Sequence, residues 1–202
     1  MLVLSMTTSL KRSLPYILIM GGLFGLLASG ILTTEKISSL ADASYIPPCN
    51  LSPIVSCGSV MNTAQASLFG FPNSLFGIAG FSIVITIGFS LLAGALYRKW
   101  FWIGLQTGMS VAILSVVWLA YQSIFIIGSL CPYCMVFWAA AIVLYSYTTV
   151  YNLQEKNLPL PAWATSTSSF FEKNPHLIAI GLFAIVIITV LVKFWSYWVT
   201  LV

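Results

Sequence analysis

The stretch Gly128-Ser129-Leu130-Cys131-Pro132-Tyr133-Cys134-Met135-Val136-Phe137-Trp138 decides the fold. It sets a turn signal and a CPYC tetrad inside a run of 55 residues, Trp100 to Gln154, that holds no Asp, Glu, Lys or Arg. Such a run is too long for one crossing of a ~30 Å hydrocarbon core, which takes about 20 residues at ~1.5 Å each. It divides into two helices, about residues 101–127 and 132–151, with Gly128-Ser129-Leu130 as a tight turn between them. Pro132 then falls in the first turn of the second helix, where its missing N–H costs no hydrogen bond. Both cysteines are thereby placed at a helix start near the membrane surface rather than in mid-bilayer.

The rest of the chain has the same character. Of 202 residues, 59% are hydrophobic and 6% are charged, and the mean hydropathy is +1.00; soluble domains carry about a quarter charged residues, so a soluble surface is excluded. The net charge of +4 is scattered and leaves no nucleic-acid footprint. A first span at about residues 14–32 lies in the uncharged segment Ser13 to Thr34, just after Lys11 and Arg12. A cleaved signal peptide competes there, because Ala28-Ser29-Gly30 resembles a cleavage site, but the apolar run continues through Ile31 and Leu32. A second span, residues 74–97, closes on Arg98-Lys99 among Tyr97, Trp100, Phe101 and Trp102, as an aromatic belt at a basic cytoplasmic turn does.

Between these spans, residues 33–73 read as a water-exposed loop with Glu35, Lys36, Asp42, Pro47, Pro48 and Pro53, ending at Pro72. Val60, Ala64, Leu68 and Phe71 recur at helical spacing and predict a short amphipathic helix on the membrane surface. After the fourth span, residues 153–176 form a polar connector with Glu155, Lys156, Pro159, Pro161, a Ser/Thr-rich patch, Glu172 and Lys173. Residues 177–202 are read as a fifth transmembrane helix, apolar over about 177–192 and anchored by Lys193, Trp195, Tyr197 and Trp198. The predicted fold is an all-α membrane protein: a four-helix bundle over residues 1–152 plus this C-terminal helix.

Orientation follows from the basic residues near span ends. With a cytoplasmic N-terminus, Lys11, Arg12, Arg98, Lys99, Lys156 and Lys173 lie inside, and only Lys36 and Lys193 lie outside. The Cys49/Cys57 loop and the Cys131/Cys134 turn then share the extracytoplasmic side, where disulfides persist.

Four cysteines in two close pairs and one histidine, His176, are the whole inventory of soft ligands and nucleophiles. At a helix N-terminus the free backbone N–H groups and the positive dipole end favour a thiolate, and Cys134 lies ~4.5 Å deeper than Cys131 at ~1.5 Å per residue. An outer sulfur can exchange with another disulfide while the inner one meets a lipid-soluble oxidant. Cys49-Asn50-Leu51-Ser52-Pro53-Ile54-Val55-Ser56-Cys57 closes a small Pro-containing loop. A static structural disulfide is one reading of it; a shuttle between an external partner and Cys131 is the other.

The order of these pieces is similar to the vitamin K epoxide reductase family, particularly its bacterial members: Cx7C in the first extracytoplasmic loop, Asn73-Ser74-Leu75-Phe76-Gly77 opening the second span, CPYC opening the fourth. The resemblance runs from about Leu14 to Tyr151. It implies a four-helix bundle around a quinone such as menaquinone or ubiquinone, in the bacterial cytoplasmic membrane. It also implies roles: Cys134 reacts with quinone, Cys131 exchanges with the loop, Cys57 exchanges with Cys131, Cys49 trades with an external thiol protein, and Asn73 hydrogen-bonds a quinone carbonyl. Read from composition alone, Asn73 is equally a helix cap. Trp138 stands where animal members have a hydrogen-bonding tyrosine, so its indole N–H takes that place in the pocket and epoxide reduction is disfavoured. Gly58 replaces a polar residue often found after the second loop cysteine. Many bacterial members carry a thioredoxin-like domain after a fifth helix, whereas this sequence stops at Val202, so the implied thiol partner is a separate thioredoxin-fold, DsbA-like protein.

Three rivals remain. DsbB performs the same overall reaction, but its CxxC lies in the first loop and its spaced pair in the second, the reverse of the order here. Four thiolates suit a metal carrier or sensor holding zinc or Cu(I), although His176 falls on the cytoplasmic side and no metal site is assigned. A structural membrane subunit with two static disulfides is the third.

Overall fold

The computed structural model describes residues 2–42, 44–158 and 170–200; Pro159, Pro161, the Ser/Thr-rich patch of the connector and Val202 lie outside them. The described elements are helical, and four helices are long and apolar enough to cross a membrane, which makes this a multi-pass membrane protein.

Helix α1 runs Leu2–Ala41, 40 residues, or ~60 Å at 1.5 Å per residue. It therefore continues well beyond the expected first span, and the loop expected from residue 33 begins as helix. Thr33 to Ala41 contains neither Gly nor Pro to stop it, and Thr33 returns its hydroxyl to the Ser29 carbonyl at 2.8 Å. The loop proper starts at Asp42. The amphipathic helix expected across Val60 to Phe71 is divided instead: α2 spans Cys57–Met61 and a 3-10 turn spans Ala64–Ser67. Asn62 ends α2 by donating its N–H to the Gly58 carbonyl, and Gly70 turns the chain at φ 81°. Phe69, Phe71 and Phe76 still form one aromatic group, with Phe69 and Phe76 centroids 5.2 Å apart.

Helix α3, Ser74–Leu92, packs lengthwise on α1. It stops short of residue 97 because Gly94, at φ 88°, takes the left-handed conformation that closes helices, with Ala95 N–H on the Ser90 carbonyl. Tyr97 then stacks on Phe101 at 3.9 Å. Helix α4, Lys99–Tyr121, passes directly into a π-helical segment, Gln122–Ile127, which Gly128 ends at φ 70°. Helix α5, Pro132–Gln154, is the central helix, packed on α1 at one side and α4 at the other. Its buried polar residues tie it to α4: Asn152 donates to Gln106 Oε1 at 3.0 Å, and Gln106 donates to Thr149 Oγ1 at 2.8 Å. The apolar core joins Leu14, Leu18, Phe81, Met109, Leu144 and Val150.

Helix α6, Leu177–Lys193, has 17 residues, about 25 Å, and is shorter than the four long helices. It lies along α5, with Ala179 buried and the Tyr147 hydroxyl 2.6 Å from His176 Nδ1 at one end. At the other end Lys193 Nζ sits 5.5 Å from the centre of the Phe125 ring. A last short helix, α7, covers Trp195–Thr200. Lys11 lies 3.8 Å from Glu155, so the start of the first span and the end of α5 share one end of the bundle, opposite the CPYC turn.

Candidate active site

Because the π-helical segment that follows α4 ends at Gly128, the backbone of Leu130 is free to pair elsewhere. The loop supplies the partner: Leu130 N–H donates to the Ile54 carbonyl at 2.7 Å and Ser56 N–H to the Leu130 carbonyl at 2.9 Å, a single parallel bridge centred on Val55 and Leu130. This clamp sets the residue before the CPYC against the residues before Cys57. Ser56 then caps α2 by accepting the Ser59 N–H at 3.2 Å, which makes Cys57 the first residue of that helix. Asn50 Oδ1 braces the loop, accepting Gly58 N–H at 2.9 Å and the Ser56 hydroxyl at 3.0 Å. A Cβ on residue 58 would stand 3.1 Å from Asn50 Nδ2, close enough that the amide would have to shift.

Four sulfurs result in a defined pattern. Cys49 and Cys57 are joined in a disulfide, while Cys131 and Cys134 are free thiols. Cys131 Sγ stands 3.3 Å from Cys57 Sγ, and both residues are fully buried; Cys49 is 6% exposed. Cys131 caps α5 itself, its sulfur accepting the Cys134 N–H at 3.4 Å with Pro132 in the first turn. The Cys134 thiol, helped by the Cys134 and Tyr133 N–H groups, holds the Cys131 thiol below its ordinary range despite burial. A thiolate is the nucleophile of disulfide exchange, so the reactive form of Cys131 is favoured where it faces Cys57.

Behind the sulfurs lies a cavity of about 100 Å³ walled by the CPYC-side ends of four helices and roofed by the loop; one water takes ~10–15 Å³. Asn73, Cys134 and Trp138 all line it. Trp138 is buried, and its indole makes no hydrogen bond among the described residues. Asn73 stands at the N-cap position of α3, but its side chain makes no capping hydrogen bond there. Its Nδ2 donates to the Gln65 carbonyl at 2.7 Å and its Oδ1 accepts Leu68 N–H at 3.2 Å, so it staples the roof segment to the start of α3 and keeps one N–H to spare. Sequence reasoning passed over Lys36, Gln65 and Gln122, which line the same cavity. Gln122 carried one faint signal, an amide in the apolar run nine positions before Cys131.

Next to this cavity a groove of about 990 Å³ opens between α3 and α4, which hardly touch. Phe76, Gly80, Gly104, Gly108 and Leu114 line it, and Asn73 and Phe137 belong to the walls of both spaces.

A helical bundle of the membrane that holds a disulfide in contact with a CxxC thiol is a membrane thiol–disulfide oxidoreductase. The sequence pattern of the vitamin K epoxide reductase family matches residues 16–149, two thirds of the chain, and the chain belongs to that family. No curated protein matches it.

Proposed function

We propose that the protein moves electrons from an extracytoplasmic thioredoxin-fold, DsbA-like protein through Cys49/Cys57 and then Cys131/Cys134 to a membrane quinone, supporting disulfide formation outside the bacterial cytoplasmic membrane. In this reading residues 1–152 are the catalytic bundle, 153–176 a cytoplasmic connector and 177–202 an additional span. The observation that carries it is the 3.3 Å approach of Cys131 Sγ to Cys57 Sγ in the Cys49–Cys57 disulfide.

The sulfurs account for each transfer. A partner thiolate attacks Cys49, releasing Cys57 as thiolate, and the partner's second thiol resolves the mixed disulfide. Cys57 attacks Cys131 of the oxidised CPYC, releasing Cys134; Cys49 then attacks Cys57, restoring the loop disulfide and leaving Cys131 and Cys134 reduced. The bonding pattern described above corresponds to that point of the cycle. Quinone supplies the final sink, taking two electrons and two protons as the CPYC disulfide reforms. Cys49 is nearly covered, so the partner's attack requires the loop around it to lift, and the exposed apolar side chains Ile46 and Leu51 beside it are suited to contact an apolar partner surface.

The walls fit a quinone: an apolar chamber with a few polar groups beside Cys134 for the ring, and an apolar groove continuous with it for a prenyl tail. Asn73, with its spare N–H, and Trp138 are the donors assigned to that ring. The joined Cys49 and Cys57 remove two of the four thiolates that a metal carrier would need. Replacing Cys134 with Ala tests the cycle. Quinone reduction should vanish while a Cys131–Cys57 mixed disulfide accumulates, visible as a gel shift that reductant reverses; trapping through Cys49 instead would exchange the two loop roles.

A further inference from the structure

Most polar side chains that line the cavity are already engaged. The Lys36 ammonium donates to Asn62 Oδ1 at 3.0 Å, the Ser74 and Thr33 hydroxyls share a bond at 2.7 Å, and the Ser123 hydroxyl donates to the Ser129 carbonyl. Asn73 is committed to the loop at both ends of its amide. Among the described residues, Gln65, Gln122 and the Trp138 indole line the cavity without a side-chain hydrogen bond.

Of the two glutamines, Gln122 has the firmer support. Gln65 rides on a four-residue 3-10 turn of the roof. Gln122 is the first residue of the π-helical segment that continues the 23-residue α4. That segment is tied back to the CPYC turn twice, by Ser123 O–H on the Ser129 carbonyl and by Ser129 N–H on the Ser123 carbonyl at 3.2 Å. Single π turns inside helices are costly in hydrogen-bond geometry and concentrate at functional sites. The consequence here is a half-buried primary amide, carried on a backbone segment tied to the CPYC turn, in the lining of the cavity that Cys134 also lines.

We propose that Gln122 is a hydrogen-bond donor to a carbonyl oxygen of the quinone, a contact that rests on the quinone reading above. As Cys131 and Cys134 give up two electrons and two protons and close their disulfide, negative charge builds on the carbonyl oxygen. The Gln122 Nε2–H group stabilises that charge without itself being oxidised, reduced or deprotonated. A fixed donor aimed at developing charge lowers the barrier more than it tightens the ground state.

The experiment uses the full chain in lipid nanodiscs with a short-tailed ubiquinone analogue. Three quantities are compared between wild type, Gln122→Leu, Gln122→Glu and Gln65→Leu: the turnover rate, equilibrium quenching of tryptophan fluorescence by the quinone in oxidised protein, and Cys131–Cys57 trapping in the Cys134→Ala background. Both Gln122 variants should lose about 100- to 1,000-fold in turnover and bind the quinone more weakly, with trapping unchanged. Gln122→Leu that turns over and binds like wild type overturns the proposal, and so does a loss carried by Gln65→Leu instead. Loss of trapping together with turnover assigns Gln122 a structural part and also overturns it. If wild type reduces no quinone, the quinone reading itself falls and takes this contact with it.

Discussion

The two faces of α3 meet their neighbours in opposite ways. Toward α1, glycines bring the backbones so close that a Cβ on Gly25 would collide with the Phe81 ring, and one on Gly77 with both the Ser29 hydroxyl and Phe137. Toward α4, Gly80 has nothing within 4 Å of its missing Cβ, and neither have Gly104 and Gly108 across the groove. Lipid gives no hydrophobic drive for helices to associate, so close van der Waals approach is what holds them. The α1–α3 seam uses its glycines for that approach; the α3–α4 seam leaves the same residue type facing an apolar space that adjoins the cavity behind Cys134. A glycine on a membrane helix thus marks either a tight joint or a passage, and only the neighbour decides which.

Substitutions on the two faces should separate them. Gly77→Ala inserts a methyl group where Phe137, a wall of the cavity, already stands. It should cost about 1–3 kcal/mol in reversible unfolding in a bilayer mimetic and should slow quinone reduction, whereas Gly80→Ala should stay within about 0.5 kcal/mol of wild type. Coincident unfolding curves would erase the distinction between the faces. Gly108→Leu, reaching into the groove, should leave stability alone yet raise KM for a long-tailed quinone about tenfold, or ~1.4 kcal/mol, relative to a short-tailed one. An equal effect on both quinones would show that the groove carries no tail. The smallest change is Thr33→Val, which removes the hydroxyl pair between Thr33 and Ser74 at the top of the tight seam; such bonds between membrane helices average about 0.6 kcal/mol, and a null result would leave the seam to packing alone.

The cysteine framework shows why some of the site was legible and some was not. CPYC at a helix start needs only local chemistry: Pro132 cannot continue a preceding helix, and the backbone N–H groups behind it turn toward the sulfur of Cys131. The approach of Cys57 to that sulfur needs the Val55–Leu130 bridge, which joins residues 75 positions apart and has no signature in either segment. Asn73 was conspicuous in the sequence, yet its side chain is spent largely on holding Gln65 and Leu68. Gln122 was inconspicuous, because an amide in an apolar run reads the same whether it faces lipid, a neighbouring helix or a cavity.

The sequence by itself determined that this is a membrane protein with four long apolar helices, where each begins to within a few residues except the long first one, and that its four cysteines fall in two close pairs. These follow from hydropathy, charge placement and turn chemistry, which act over a few residues. The tertiary structure alone decided that Cys57 faces Cys131, that the loop roofs a cavity against Cys134, and that α3 closes on α1 but stands apart from α4. Those outcomes depend on which helix faces meet, and apolar faces of similar composition carry no local mark of their partners.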